Sequence, residues 1–410
     1  MDLNDALFLI QVALVAALIA GSIPYLLFPS LVRVFHFFLQ PSRTANAFSI
    51  PDDADWPEVD LVFAAYNEEA VLRDKLESLK NLDYPKERLK IWVGSDLSTD
   101  GTEQILASYA TEMTNLHWER MSTRSGKSRI INHLVAKGGN SIIVGTDANI
   151  LFHTMALKHL IAPFLSNPKV AMVGGELAYR ETPTEENAKS IAREERSYLQ
   201  WENRTKVCEG ELWGATMGVE GGCYAIKRSA FVPIPNGTYM EDFFLTMQVL
   251  RSGEYVQHAA LSTCTEDVSN NAKMEYRRKV RISHGNWQNL MRYKLSWSLR
   301  SFGIFLTFFC HKVLRWLFPF FVIGSMVWGS IQLYISDDFN VLIANYLALG
   351  AVTAIILQPR ALLPAFLAKK IKPISYFAWM NLALIEGFYT YLTTWSTSSG
   401  IWEPTQRNNQ

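Results

Sequence analysis

Three short apolar segments, each followed at once by acidic or amide side chains, constrain the fold of this chain more than any other feature. They start near Val59, Lys90 and Ile142 and lead into Tyr66-Asn67-Glu68-Glu69, Ser95-Asp96 and Asp147-Ala148-Asn149. Short apolar runs are typical of strands buried in a parallel sheet. The carboxyl ends of such strands line the crevice in which α/β proteins bind ligands. The sequence therefore predicts an α/β fold with a polar site at one edge of its sheet.

Helical segments alternate with these strands. The pattern predicts strands at about 59–65, 90–95, 141–146 and 170–175 and helices at about 68–80, 101–113, 125–137 and 154–166. Such alternation favours βαβ units and a Rossmann-like, mostly parallel sheet. The chain lacks both the G-x-G-x-x-G loop of dinucleotide-binding domains and the P-loop G-x-x-x-x-G-K-[ST]. If the site binds a phosphate, groups other than these glycine-rich loops must hold it.

Long apolar segments towards both ends predict attachment to a membrane. Ala6 to Pro29 has no charged residue and is long enough to cross a bilayer, and its acidic N-terminal flank favours a retained anchor over a signal peptide. Further spans are expected at Leu317 to Ile335, Val341 to Leu357 and Ile374 to Thr394. The Lys and Arg residues that flank the spans favour both termini outside and residues 40 to 300 in the cytosol. We therefore expect an integral protein of the plasma (inner) membrane with a cytosolic domain.

The segment from Phe302 to Trp316 has a separate pattern. It is rich in Phe, Leu and Ile and carries His311, Lys312 and Arg315 within one helical face. This pattern predicts an amphipathic helix in the membrane interface. The alternative is that the segment forms the early part of a long spanning helix. The predicted domains are thus an N-terminal transmembrane anchor (1–40), a soluble α/β domain (41–300), an interface helix (301–316), C-terminal transmembrane helices (317–395) and a tail (396–410).

Charge and cysteine content exclude some classes of function. The chain has 39 basic and 39 acidic residues, a net charge of zero, and no long basic block, which argues against nucleic-acid binding. Its 4 cysteines lie far apart without a C-x-x-C pair, which argues against a zinc site and against a disulfide framework.

Asp147 and Asn149 form a candidate site for a metal ion. They flank Ala148 at the end of a predicted strand, so their side chains point the same way and can share one cation. A hard cation such as Mg²⁺ or Mn²⁺ typically takes one or two protein oxygens and lets substrate phosphates supply more. Turn-forming Asp and Asn also end strands without any ligand, so the pair alone is a weak signal.

Six motifs occur together in a characteristic order. They are Ala64 to Glu68 (A-x-Y-N-E), Ser95 to Thr102 (S-D-x-S-T-D-G-T), Gly126 to Asn132 (G-K-x-x-x-x-N), Thr146 to Asn149 (T-D-A-N), Glu241-Asp242, and the basic tract Arg277 to Gly285. In this combination the chain resembles the membrane-integrated family 2 glycosyltransferases, which include cellulose, hyaluronan and poly-N-acetylglucosamine synthases. The resemblance covers about residues 55 to 335. It implies a GT-A fold, a nucleotide-sugar donor, inversion at the anomeric carbon and a divalent cation, Mg²⁺ or Mn²⁺.

The resemblance also implies roles for residues on the donor side. Ala65, Asn67 and Glu68 match the loop that lines the nucleoside, and Asp96 matches the acceptor of a hydrogen bond from uracil. Lys127 matches a basic residue near the nucleotide. Asp147 and Asn149 match the metal-binding D-x-D pair, with an amide in place of the second carboxylate.

On the acceptor side, Asp242 matches the catalytic base and Arg281 matches the arginine that contacts the diphosphate. Glu241 is assigned to the acceptor site beside the base. Here the chain departs from processive synthases, whose Q-x-x-R-W tract ends in a Trp that stacks under the acceptor sugar: Arg278 replaces the Gln and Ile282 replaces the Trp. Trp287 is a candidate substitute, although a buried Trp is the more common case.

The expected function is an inverting, metal-dependent transfer from a UDP-sugar to a membrane-associated acceptor, with one or a few sugars added to a lipid. The first alternative is a processive synthase of an exported polysaccharide that works alone or with an accessory membrane subunit. The second, from another class, is an inactive GT-A membrane scaffold, against which the retained Asp96, Asp147, Asp242 and Arg281 argue.

Overall fold

The computed structural model describes residues 16, 19–21, 23–39, 50, 55–180, 186–267, 272–293, 302–335 and 365–394. They fall into two compact units. The α/β unit comprises the described residues of Val32–Met274 and Gln288–Thr307, together with Thr394. The helical unit comprises those of Met1–Leu31, Glu275–Trp287 and Phe308–Thr393. The predicted domain borders stay predictions, but Glu275–Trp287 groups with the helical unit although it lies inside the predicted domain 41–300.

Eight strands form one sheet in the described part of the α/β unit. They are β1 (Val59–Ala65), β2 (Leu89–Ser95), β3 (Leu116–Arg120), β4 (Ile142–Thr146), β5 (Leu151–Phe152), β6 (Val170–Arg180), β7 (Cys223–Lys227) and β8 (Tyr255–Asp267). The four strands predicted from the apolar runs are β1, β2, β4 and β6, and these are confirmed.

The α-helices of the described residues, in order, are α1 (Phe28–Leu39), α2 (Glu69–Lys80), α3 (Thr102–Glu112), α4 (Lys127–Lys137), α5 (Ala156–Ser166), α6 (Glu186–Trp213), α7 (Glu241–Ser252), α8 (Ala272–Tyr293), α9 (Phe302–Leu306), α10 (Leu314–Ile335) and α11 (Ala365–Thr394). Short π-helical segments, Ile23–Leu27 and Thr307–Val313, precede α1 and α10. The four helices expected between the predicted strands are present as α2, α3, α4 and α5.

The sheet is mixed, in the order β3-β2-β1-β4-β7-β6-β8-β5. Neighbours from β3 to β4 pair in parallel, as do β6 and β8. β7 runs antiparallel to both β4 and β6, and β5 runs antiparallel to β8, which the expectation of a mostly parallel sheet did not include. An apolar run indicates a strand but not its direction, because direction is set by the connections before and after it.

The core of the α/β unit lies between this sheet and the helices that follow its strands. All seven residues of β1 are buried, and the one charged residue among them, Asp60, is paired with Arg228. On α2 the buried residues Leu72, Leu76 and Leu79 recur at the spacing of one helical face. This packing fixes the carboxyl ends of β1, β2 and β4, where the predicted site residues lie.

One helix of the described residues, Phe302–Trp328, is long and apolar enough to cross a membrane. The number rises to two if Ile19–Tyr25 and Phe28–Leu39, which meet at 51°, are counted as one broken span. The predicted span Ile374 to Thr394 is helical, whereas Val341 to Leu357 lies outside the described residues. The four-span topology therefore stays a prediction.

Residues 302–316 belong to an unbroken helical run into α10. This is the arrangement expected of the early part of a long helix. Within the helical unit the His311 side chain is fully buried and its ring lies 6.0 Å from that of Phe28. His311 is thus buried in this structure, and the interface position of the segment stays a prediction.

Candidate active site

The loop after β1 is tied to the loop after β2 by hydrogen bonds at successive residues. The backbone N–H of Asn67 donates to Ser98 Oγ (3.1 Å), and its side-chain Oδ1 accepts the Thr99 N–H (2.8 Å). The Glu68 N–H donates to Thr102 Oγ1 (2.9 Å). Asn67 has a φ of 53°, a conformation that Asn adopts more readily than most residues. Hydrogen bonds thus join the two loops into one edge, and the nucleoside-lining role of Asn67 and Glu68 stays a prediction.

Asp96, at the end of β2, is almost fully buried and holds the loop before α4. Its Oδ1 accepts the N–H of Ser125 (2.6 Å) and its Oδ2 accepts that of Gly126 (3.1 Å). Its own N–H donates to the carbonyl of Ala65 (2.9 Å), which joins it to the end of β1. A carboxylate has about four acceptor positions, so these bonds leave capacity for a ligand. Asp96 is therefore also a structural residue, which the sequence did not indicate.

Arg124 adds a positive charge at this edge of the site. Its Nη1 donates to the Asp96 carbonyl (3.2 Å) and lies 3.6 Å from Asp96 Oδ2. Its guanidinium carbon lies 3.3 Å from the centre of the Tyr66 ring, a stacked arrangement in which Arg is commonly found. Sequence reasoning missed Arg124, because only the folded loops bring it to Tyr66.

Asp147 and Asn149 each carry a side-chain oxygen of the kind that a hard divalent cation binds. The Asp147 side chain is 38% exposed, and Asn149 Nδ2 donates to Glu266 Oε1 (2.9 Å). Because amide nitrogen and oxygen point in opposite directions, this bond turns the Asn149 oxygen away from Glu266. No cluster of three or more His, Cys, Asp or Glu suited to a metal occurs among the described residues. Two protein oxygens suit Mg²⁺ or Mn²⁺, which also bind waters and phosphates, better than they suit a four-ligand zinc site.

A buried lysine of α2 is hydrogen-bonded to both ends of the loop that carries Asp147 and Asn149. Lys75 of α2 is fully buried, and its Nζ donates to Thr146 Oγ1 (2.9 Å) and to the carbonyl of Ile150 (2.6 Å). The two acceptors bracket Asp147 to Asn149. Burial lowers the pKa of Lys75 to about 7. Sequence reasoning missed Lys75, because its place in the sequence is that of an ordinary helical lysine.

Lys127, the first residue of α4, links the loop that carries Asp147 and Asn149 to the start of α7. Its Nζ lies 2.6 Å from Asp147 Oδ1 and forms a second ion pair with Glu241. Burial opposes the charged form, but the carboxylates of Asp147 and Glu241 outweigh it and raise the pKa of Lys127 above its ordinary value. The Lys127 ammonium group therefore contacts both Asp147, a predicted donor-site residue, and Glu241, the neighbour of the predicted base Asp242. Glu241 is paired with Lys127, and its assignment to the acceptor stays a prediction.

Asp242 lies in the first turn of α7 and is 8% exposed. Burial, with the neighbouring Glu241 carboxylate, raises the pKa of Asp242 to about 7, although the Phe243 N–H (2.8 Å from Oδ1) and Lys127 favour the ionised form. Gly221 approaches closely, since a methyl group there would lie 3.0 Å from Asp242 Oδ2. A buried carboxyl group that titrates near neutral pH is suited to general base catalysis.

Residues 60–232 match the family model described as "Glycosyl transferase family 2". The chain carries a glycosyltransferase family 2 domain. The match includes Asp96, Lys127 and Asp147 and ends ten residues before Asp242.

The chain is similar, over part of its length, to two proteins of known description. The chain is 26% identical over 286 residues to the probable glycosyltransferase YdaM of Bacillus subtilis, covering 66% of this chain and 65% of that protein. It is 35% identical over 119 residues to a beta-monoglucosyldiacylglycerol synthase of Nostoc, covering 28% of this chain and 25% of that protein. The chain therefore spans less than two thirds of the length of these relatives.

A solved structure shares the fold along most of the chain. The mannosyltransferase PcManGT from Pyrobaculum calidifontis, solved with GDP-Man and Mn²⁺, aligns with a TM-score of 0.71 at 20% identity, covering 94% of this chain and 99% of that one. With the family match, this likeness shows that the family 2 domain has the GT-A fold, with the mixed sheet described above.

The residues predicted from the basic tract lie on α8, within the part that belongs to the helical unit. Arg281 and Ile282 are half-buried there. Trp287 is 7% exposed and packs in the helical unit against Phe320, with ring centres 5.7 Å apart, and Phe388, at 4.6 Å. Stacking under a sugar requires an open ring face. Packing covers the ring of Trp287 in this structure, which disfavours a stacking role, and its assignment to the acceptor site stays a prediction.

Proposed function

We propose that this family 2 protein transfers a sugar from a UDP-sugar to a membrane-associated acceptor with inversion at the anomeric carbon. The observation that carries the proposal is the ammonium group of Lys127, which contacts both Asp147 and Glu241. It joins the loop proposed to hold the donor diphosphate to the turn that carries Asp242. An inverting transfer needs these two elements side by side, because the acceptor hydroxyl must attack as the diphosphate leaves.

In the proposed reaction Asp242 accepts the proton of the acceptor hydroxyl while the hydroxyl oxygen bonds to the anomeric carbon. The bond from that carbon to the diphosphate oxygen breaks in the same step, and UDP leaves with the electron pair. A bound Mg²⁺ or Mn²⁺, held by Asp147 and Asn149, would supply positive charge to the departing diphosphate. Lys127 holds Asp147 and Glu241 in place, and Arg281 is proposed to contact the diphosphate.

The donor is proposed to be bound by the preorganised loops after β1 and β2. Ala65, Asn67 and Glu68 would line the nucleoside, and Asp96 would accept a hydrogen bond from uracil. The acceptor is proposed to be a lipid, with the reaction at the cytosolic leaflet of the plasma (inner) membrane. The long apolar helix Phe302–Trp328 supports membrane association. A relative's name, beta-monoglucosyldiacylglycerol synthase, supports a lipid acceptor.

Transfer of radiolabel from a panel of UDP-sugars, with GDP-mannose included, to membranes that contain the chain would test this proposal. We expect one UDP-sugar to label the membranes in a manner that requires Mg²⁺ or Mn²⁺, and membranes with the Asp242→Asn variant to stay unlabelled. Labelling from GDP-mannose alone would contradict the uracil contact assigned to Asp96. No labelling from any donor would favour an inactive scaffold.

A further inference from the structure

From Arg33 to Leu39, helix α1 turns its basic side chains inward and its apolar side chains outward, whereas the apolar residues Phe28 and Val32, nearer its start, are buried. The exposed fractions of its outward residues are 51% for Val34, 52% for Phe35, 70% for Phe37, 71% for Phe38 and 68% for Leu39. Val34, Phe35 and Phe38 follow the spacing of one helical face. We call these five residues the α1 face.

The two basic residues of the same stretch are paired inside the α/β unit. Arg33 Nη2 donates to the Trp201 carbonyl (2.9 Å), and its guanidinium carbon lies 5.0 Å from the centre of the Trp201 ring. His36 Nε2 contacts the Glu211 carboxylate, and these two side chains are only 15% and 7% exposed. Trp201 and Glu211 both belong to α6, so α1 is tied to α6 at two points. This is the reverse of a helix that faces water, which buries its apolar face and exposes its charges.

We propose that the α1 face lies in the lipid bilayer, at the boundary between headgroups and acyl chains, and holds the α/β unit against the membrane. Amphipathic helices bind there by burying an apolar face about 5–10 Å deep. The proposal rests on the membrane association proposed above but not on the transfer reaction, so the two can fail separately.

Chain continuity favours lipid as the occupant. α1 begins at Phe28, inside the last residues of the apolar segment Ala6 to Pro29 that is predicted to cross the bilayer. A helix that leaves such a segment starts at the membrane surface. No charged side chain interrupts Val34 to Leu39, where His36 turns inward.

The size of the face argues against a second copy of the chain as the occupant. α1 has 12 residues, and a helix of that length is about 18 Å long and about 10–12 Å wide. One side of it offers on the order of 200 Å², far below the roughly 800 Å² per partner of a stable protein interface. Insertion into lipid has no such lower limit, because it scales with the apolar area buried.

The test uses the full chain in phosphatidylcholine vesicles, with an environment-sensitive fluorophore on a cysteine introduced at Phe38. A second variant, Val34→Cys, probes the same face independently. The matched control is Gln104→Cys, on an exposed position of α3. The unmodified chain, treated in parallel, reports labelling of Cys208, Cys223, Cys264 and Cys310, of which the first three are buried.

We expect labels at both α1 positions to be quenched severalfold by spin-labelled lipid and shielded from iodide, and the label at 104 to show the opposite. Because insertion is apolar, adding phosphatidylglycerol or salt should leave the quenching unchanged. Iodide access equal to that of the control would overturn the proposal. So would shielding from iodide without quenching by lipid, which would mean that protein covers the face, and so would quenching that requires the anionic lipid. Transfer measured in the same vesicles reports separately on the proposed function.

Discussion

At the scale of single residues, the environment of Asp242 distinguishes a base from an ordinary acid in the first turn of a helix. Its burial beside Glu241 raises its pKa to about 7. We predict that Asp242→Asn leaves UDP binding nearly unchanged and lowers transfer by on the order of 10²-fold or more, because a base acts only on the acceptor proton. Calorimetric UDP titration and radiolabel transfer measure the two quantities. Asp74→Asn, at an exposed acid of α2, is the matched control; turnover near wild type in Asp242→Asn would move the base elsewhere.

The raised pKa of Asp242 predicts that transfer activity rises with pH and that the contribution of Asp242 to stability falls with pH. Asp242 must be ionised to act, so transfer should rise with pH through about 7, and Asp242→Asn should lose this limb. The folded pKa is raised above the ordinary 3.8, so Asp242 contributes stability that is present below 3.8 and lost as pH rises through about 7. Thermal melting should therefore show the Asn variant gaining stability over wild type between these two values and holding the gain above them. A constant difference across this range would contradict the raised pKa.

Asp96 and Asp147 should affect nucleotide binding in distinguishable ways. Asp147→Ala should weaken UDP binding only when Mg²⁺ or Mn²⁺ is present, because its carboxylate acts through the cation. Asp96→Ala should weaken it with or without metal, since Asp96 also holds the N–H groups of Ser125 and Gly126. Titration of UDP with Mn²⁺ and with EDTA measures this. Unchanged affinity in all four combinations would mean that the nucleotide binds elsewhere.

At the scale of elements, α2 holds the loop of Asp147 to Asn149, the proposed metal site, through hydrogen bonds from Lys75. We predict that Lys75→Met raises the Mn²⁺ concentration for half-maximal activity about tenfold, because the loop loses its hydrogen bonds at Thr146 and Ile150. UDP affinity in EDTA should stay within about twofold, which separates positioning of the loop from general damage. Lys80→Met, at an exposed lysine of the same helix paired with Glu112, is the control. An equal loss of UDP affinity in EDTA would show that Lys75 supports the fold rather than the loop.

The elements that sequence could predict are those whose signal is local. β1, β2, β4 and β6 contain continuous apolar runs, and each was expected. β3 (Leu116–Arg120) has a single buried residue, Leu116, and β8 buries Gln257 and His258, whose partners Gly210 and Glu176 are distant in sequence. These strands are stabilised by pairing with neighbouring strands of the sheet. This is a tertiary effect, so local propensity and periodicity do not predict it.

At the scale of the whole molecule, motifs identified the donor residues but not their connections. The ion pairs of Lys127 with Asp147 and Glu241, and the stacking of Arg124 on Tyr66, join segments that are far apart in the chain. A motif records which side chain is present, whereas its protonation and orientation depend on neighbours that only the fold supplies. The burial of Trp287 illustrates the same limit, because the sequence gives no sign that Phe320 and Phe388 cover the ring.

The nature of the product also belongs to this scale, since it depends on how an acceptor reaches the site. Chain growth in the resembling synthases relies on a Trp platform for the acceptor sugar, and here Ile282 takes that place while Trp287 is buried. An aliphatic side chain cannot supply the oriented stacking of an aromatic face. We therefore predict that the purified chain with its UDP-sugar and a lipid extract yields organic-extractable label of uniform size. Trp287→Phe should keep the product size and leave transfer within about twofold, because Phe preserves the aromatic packing. A water-soluble, glycosidase-sensitive ladder of long chains would instead favour the polysaccharide synthase.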